Sequence, residues 1–98
     1  MRIEVQRSGG FAGLTRSASV DTSRLPAEEA HSIEAAVRGL GLESAGRQSA
    51  SAQPRPDGFQ YDVTIEDGGE RRQLMLRDPT PPGFQDLFRR MLELQRES

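Results

Sequence analysis

Eight residues, Phe59-Gln60-Tyr61-Asp62-Val63-Thr64-Ile65-Glu66, alternate apolar and polar without a break, and Asp67-Gly68-Gly69-Glu70 follows at once. A period of two puts Phe59, Tyr61, Val63 and Ile65 on one face of an extended strand. The two glycines suit the left-handed backbone of a tight hairpin turn. Arg72, Leu74 and Leu76 then share one phase, with Met75 on the other, which reads as the returning strand. An antiparallel hairpin with one apolar face needs something to cover that face.

The N-terminal part repeats this plan. Ile3 and Val5 face inward between the outward Arg2, Glu4 and Gln6. Leu14, Ala18 and Val20 share a face in the next strand, with Arg16 the exception. Between the strands lies Ser8-Gly9-Gly10-Phe11-Ala12-Gly13, whose three glycines mark a loop with unusual backbone angles. Leu25-Pro26-Ala27-Glu28-Glu29 reads as a helix start, because proline suits the first turn and carboxylates suit the positive end. Ala30, Ile33, Val37 and Leu40 make its apolar stripe, and Gly39 and Gly41 stop it. Residues 43–58 read as a long loop rich in Ser, Ala, Gln, Pro and Arg. Pro79, Pro81 and Pro82 introduce a last helix with a stripe of Phe84, Leu87, Phe88, Met91 and Leu92, leaving Leu94 off the stripe and exposed or frayed.

The element order is therefore ββαββα, an α+β fold: a four-stranded antiparallel sheet covered on one side by two helices. Its core should comprise Ile3, Val5, Val20, Ile33, Val37, Val63, Ile65, Leu74, Leu76, Leu87, Phe88 and Met91. The 98 residues suit a single domain spanning positions 1–98. Leu, Ile, Val and Phe number only 20, so the core is modest and a deep substrate cavity is not expected.

Composition removes several function classes. Without cysteine there is no disulfide and no zinc-thiolate site. All 13 basic residues are arginine, but they are scattered among 15 acidic ones and leave a net charge of −2. Codon bias explains the arginines better than phosphate recognition does, and nucleic-acid binding is not expected. No stretch is long and apolar enough to cross a membrane. The N-terminus enters strand-like sequence directly, without an apolar signal core, so the simplest expectation is a cytoplasmic protein, with secondary export as the alternative.

Catalytic equipment is thin. His31 is the only histidine, one position from Ala30 on the helix stripe, and reads as a surface or boundary residue; a catalytic zinc needs about three ligands. Glu28 and Glu29 are explained by the helix dipole, and Glu66 and Asp67 by turn chemistry and solubility. No catalytic residue, metal or cofactor is expected. The glycine-rich loop is not a phosphate loop, since no Gly-Lys-Ser/Thr follows and a strand comes next. It does carry Phe11 among small residues. A large apolar group at a loop tip suits insertion into a partner's pocket, and it equally suits folding back onto the core.

The run Ile3-Glu4-Val5-Gln6-Arg7-Ser8-Gly9-Gly10-Phe11-Ala12-Gly13, followed by Val20-Asp21-Thr22 and Leu25, resembles the emfourin family. Phe59-Gln60-Tyr61 and Asp67-Gly68-Gly69 resemble it as well, and Arg-Ser-Gly-Gly-Phe is the distinctive part. The resemblance covers residues 1 to about 40 and 59–69. It implies a proteinaceous inhibitor of a thermolysin-type zinc metalloprotease such as protealysin, bacterial, monomeric when free, acting at the active site. The partner-binding residues would be Arg7, Ser8, Gly9, Gly10, Phe11, Ala12 and Gly13, with Asp67, Gly68 and Gly69 as a second prong if both hairpin tips lie at one end of the sheet. That arrangement requires the second and third strands to pair. Thermolysin-like enzymes prefer a bulky apolar side chain after the scissile bond, which makes Phe11 the candidate for that pocket. A backbone carbonyl, Ser8 or Asp67 are the groups available to approach the zinc. A small protein-interaction or regulatory module using the same loop is the alternative function.

Overall fold

The computed structural model describes residues 1–9, 15–41, 46, 58–77 and 80–97. Gly10, Phe11, Ala12, Gly13, Leu14, Pro79 and nearly all of the loop 43–58 lie outside the described residues. Strand β1 runs Arg2–Gly9 and β2 runs Arg16–Asp21, followed by a 3-10 turn, Thr22–Arg24. Helix α1 spans Ala27–Gly39, strands β3 and β4 span Phe59–Asp67 and Glu70–Arg77, and helix α2 spans Phe84–Glu97. The four strands form one antiparallel sheet, so the α+β architecture and the ββαββα order hold.

The sheet order is β2-β1-β3-β4. β3 pairs with β1, not with β2 as the two-prong arrangement requires. Hydrophobic supply explains the choice. Ile3 and Val5 on β1, and Tyr61, Val63 and Ile65 on β3, are the largest supply of inner-face apolar side chains, and centring them buries each to 9% exposure or less. β2 and β4 offer less apolar surface and take the edges.

Both helices cover the face that carries these residues, and all the buried apolar side chains form one cluster. Ile33 and Val37 come from α1; Phe84, Leu87, Phe88, Met91 and Leu94 come from α2. Leu94 is thus buried and Leu92 only half-buried, the reverse of the expectation. At about 100° per residue, Leu92 lies near the edge of the stripe defined by Phe84, Leu87, Phe88 and Met91 on one side, and Leu94 extends it on the other. Leu74, expected in the core, is half-buried: it lies on an edge strand opposite Val63, nearer the β3–β4 turn than the fully buried Leu76 opposite Tyr61. The remaining expected core residues are buried.

Local chemistry sets the boundaries. Gly68 and Gly69 have φ of +60° and +86°, the backbone of a two-residue hairpin turn of the I′ type, closed by the Asp67–Glu70 pair. Asp21 caps the 3-10 turn: its carboxylate accepts from the Ser23 hydroxyl at 2.7 Å and the Ser23 amide at 3.0 Å, which holds it below the usual carboxylate pKa. The edge of β2 is capped by one side chain. The Ser19 amide donates to Gln95 Oε1 at 3.0 Å, and Gln95 Nε2 donates to the Ser17 carbonyl at 3.5 Å. A carboxamide bridging successive outward groups of an edge strand does the work of a further strand and protects the edge. Among the described residues, no helix is long and apolar enough to cross a membrane.

Candidate loop-end binding site

The residues that the sequence singled out divide between two ends of the sheet. β1 starts with Arg2 opposite Glu66 and finishes with Gly9 opposite Phe59. The β3–β4 turn therefore sits where β1 begins, and the loop that follows Gly9 leaves where β1 finishes. The eight residues of β1 separate the β3–β4 turn from Gly9 by roughly 25 Å at about 3.4 Å per residue. Arg7, Ser8 and Gly9 lie together at one end, and Asp67, Gly68 and Gly69 lie together at the other. They do not make two prongs of one wedge. The physical reason is the β1–β3 pairing, which turns the second hairpin away from the first.

The loop end is built on β1 and its neighbours. Ser8 lies opposite Gln60, which lies opposite Arg77, so these three form one row on the face away from the helices. Gly9 has φ of +94°, in the region that favours glycine. A Cβ there would also stand 3.0 Å from the Gly58 carbonyl oxygen, a backbone atom that has little room to yield. Two independent constraints therefore demand glycine at this position. Gly9→Ala is expected to cost at least about 1–2 kcal/mol of stability. Thermal unfolding of the variant checks this, and an unchanged melting temperature contradicts it.

Arg7 stands on the inner face, in phase with Ile3 and Val5. Its guanidinium carbon lies 4.7 Å from the centroid of the Phe59 ring and 5.7 Å from that of Phe88. The cation thus bridges β3 and α2, within range of both aromatic faces. Beneath it, Tyr61 meets Phe84 and Phe88 edge-on at 5.1 and 6.0 Å. The Tyr61 hydroxyl accepts from Gln85 Nε2 at 2.9 Å, so this buried ring keeps its polar tip satisfied. Arg7 was read from the sequence as a partner-binding residue; its half-buried side chain packs on Phe59 and Phe88 at the base of the loop end. Phe59, Phe88 and Gly58, its supports and those of Gly9, were not singled out. The available signal was parity: a period of two from Ile3 and Val5 lands on Arg7.

Elsewhere the arrangement offers little chemistry. His31 is exposed on α1, and no group of three potential metal-ligating side chains occurs among the described residues. Glu29 is engaged by Arg90 across the two helices at 3.3 Å. A groove of about 350 Å³ lies at the far end of the sheet, between Arg2, Asp21, Arg24 and Leu94. It brings together two arginines and one carboxylate, with neither a nucleophile–base pair nor a metal-binding set in its wall.

No curated protein and no solved structure matches the chain. The Emfourin family does match, over residues 5–92. That span takes in the loop end, the β3–β4 turn and most of α2, well beyond the segments that carry the resemblance in the sequence. The chain belongs to the Emfourin family.

Proposed function

We propose that the chain is a cofactor-free protein inhibitor of a thermolysin-type zinc metalloprotease, and that the Ser8–Gly13 loop is the part that enters the active-site cleft. Membership of the Emfourin family is the observation that carries this reading. The geometry of the described part agrees with it. The loop departs from a central strand, at a position that only glycine fits and beside an arginine that lies over aromatic rings. A rigid base lowers the entropy lost when a loop is captured by a cleft. Phe11, at the tip in sequence, is the candidate for the apolar pocket beyond the scissile bond. A loop carbonyl or the Ser8 hydroxyl is the candidate group for the zinc. Asp67 is no longer one, given its place at the opposite end. The protein acts in this reading as a monomer in the cytoplasm.

Titration of the purified protein into peptidase assays tests the proposal. A thermolysin-type enzyme should lose activity, while serine and cysteine proteases keep theirs. If every metalloprotease tested is untouched at micromolar inhibitor, an interaction or regulatory module using the same loop becomes the better reading. Asp67→Ala probes the two ends: a change on the remote turn should alter inhibition by no more than about twofold. A larger loss would return the β3–β4 turn to the binding surface.

A further inference from the structure

We propose that Arg7 is the positioning residue of the inhibitory loop: its guanidinium, laid against Phe59 and Phe88, fixes the angle at which the Ser8-Gly9 end of β1 leaves the sheet. Its consequence for inhibition rests on the inhibitor reading above, whereas its geometry does not.

Arg7 occupies an inner-face position on a central strand, where the residues before it in phase are Ile3 and Val5. An aliphatic side chain would fill such a place without a desolvation penalty. Arg7 instead buries its Nε with no hydrogen-bond partner among the described residues, and an orphaned donor of this kind is costly. What the arginine adds is a flat, delocalised cation that lies against two rings at once. Those rings belong to different elements, Phe59 to β3 and Phe88 to α2, so one side chain ties three elements together at the end of the sheet. The next two residues are Ser8 and Gly9, and a side chain at Gly9 would stand 3.0 Å from the carbonyl oxygen of Gly58, immediately before Phe59. Both sides of the exit from β1 are thereby referred to the same aromatic pair. A loop leaving such a base starts from one direction rather than many, and the binding-competent fraction rises accordingly.

The test uses Arg7→Met, which keeps an unbranched stem as far as the Nε position and removes both the charge and the buried Nε. Two measurements are made on the full chain. Amide hydrogen exchange of the free protein should quicken about tenfold at Ser8, Gly9 and Phe59, with Val5 and Val63 unchanged, as expected for loss of a partly desolvated cation–π contact. An even rise along β1, or none, overturns the proposal, because a purely structural role moves the whole strand. The second measurement is inhibition of a thermolysin-type protease by Arg7→Met, Phe59→Leu and the double variant. Positioning through the ring predicts about tenfold weaker inhibition for each single change and little further loss in the double. Additive losses overturn the proposal in favour of direct contact between Arg7 and the protease, and so does undiminished inhibition by Arg7→Met. Should Phe59→Leu fail to fold, the exchange data on Arg7→Met decide. If the parent protein inhibits no thermolysin-type enzyme, the inhibitor reading falls, and the exchange result still tests the clamp.

Discussion

Phe11→Ala is expected to weaken inhibition of a thermolysin-type protease by roughly thirty- to a thousand-fold, with the melting temperature nearly unchanged. Central aromatic anchors of an interface commonly cost about 2–4 kcal/mol when cut to alanine, and each 1.4 kcal/mol is about a factor of ten. The stability half of the expectation follows from the proposed role: a side chain kept for a partner contributes little to its own core. The core beneath the sheet is filled by other rings, Tyr61, Phe84 and Phe88, all at 2% exposure or less. If Phe11 folds back instead, the pattern reverses, with a lower melting temperature and only an indirect loss of binding. Inhibition constants and melting curves on the same variant separate the two. A stable Phe11→Ala that inhibits as well as the parent removes Phe11 from the site, and Ser8, Gly10 and Gly13 become the next positions to change.

The second large effect is on the fold. Phe88→Ala is expected to destabilise by about 3–5 kcal/mol, the range for aromatic truncation in a closed core. Phe88 is 2% exposed, meets Tyr61 edge-on at 6.0 Å and lies beside the Arg7 guanidinium. Its removal leaves a cavity under the loop end and takes away one of the rings that hold Arg7. For a domain of this size the melting temperature should fall by at least about 12 °C. Equilibrium denaturation reads the loss, and an unchanged midpoint defeats the assignment of Phe88 to the core. Leu92→Ala and Leu94→Ala make a useful control pair. The half-buried Leu92 should be the cheaper of the two to truncate, although a plain reading of the helix stripe favours it as the core residue.

These two residues show where sequence reading reaches its limit. Leu92 and Leu94 flank the α2 stripe on opposite sides, and the sequence does not say how far round the helix its partner surface extends. The sheet decides that. α2 lies along β2, so its covered face widens toward Leu94 and places Gln95 against the strand edge, where its carboxamide bonds to Ser17 and Ser19. Gln95 looks like any polar residue near a helix end until that edge is beside it. Likewise Arg7 reads as part of a binding motif, and only the approach of Phe59 and Phe88 shows what its side chain packs against.

The sequence by itself determined the elements and their faces. Alternation from Phe59 to Glu66, the glycine pair at 68 and 69, and the proline start and glycine stop of α1 were all legible, because each rests on interactions within a few residues, and the Arg-Ser-Gly-Gly-Phe run was legible as a family resemblance. Only the tertiary structure decided which strands are neighbours, and with that, where each hairpin points. A period of two states which side of a strand is apolar but carries no record of the strand beside it. That choice comes from burying the two most apolar strands, β1 and β3, side by side at the centre of the sheet. Their antiparallel register then sends the Ser8-Gly9 end of β1 to one end of the sheet and the Asp67–Glu70 turn to the other.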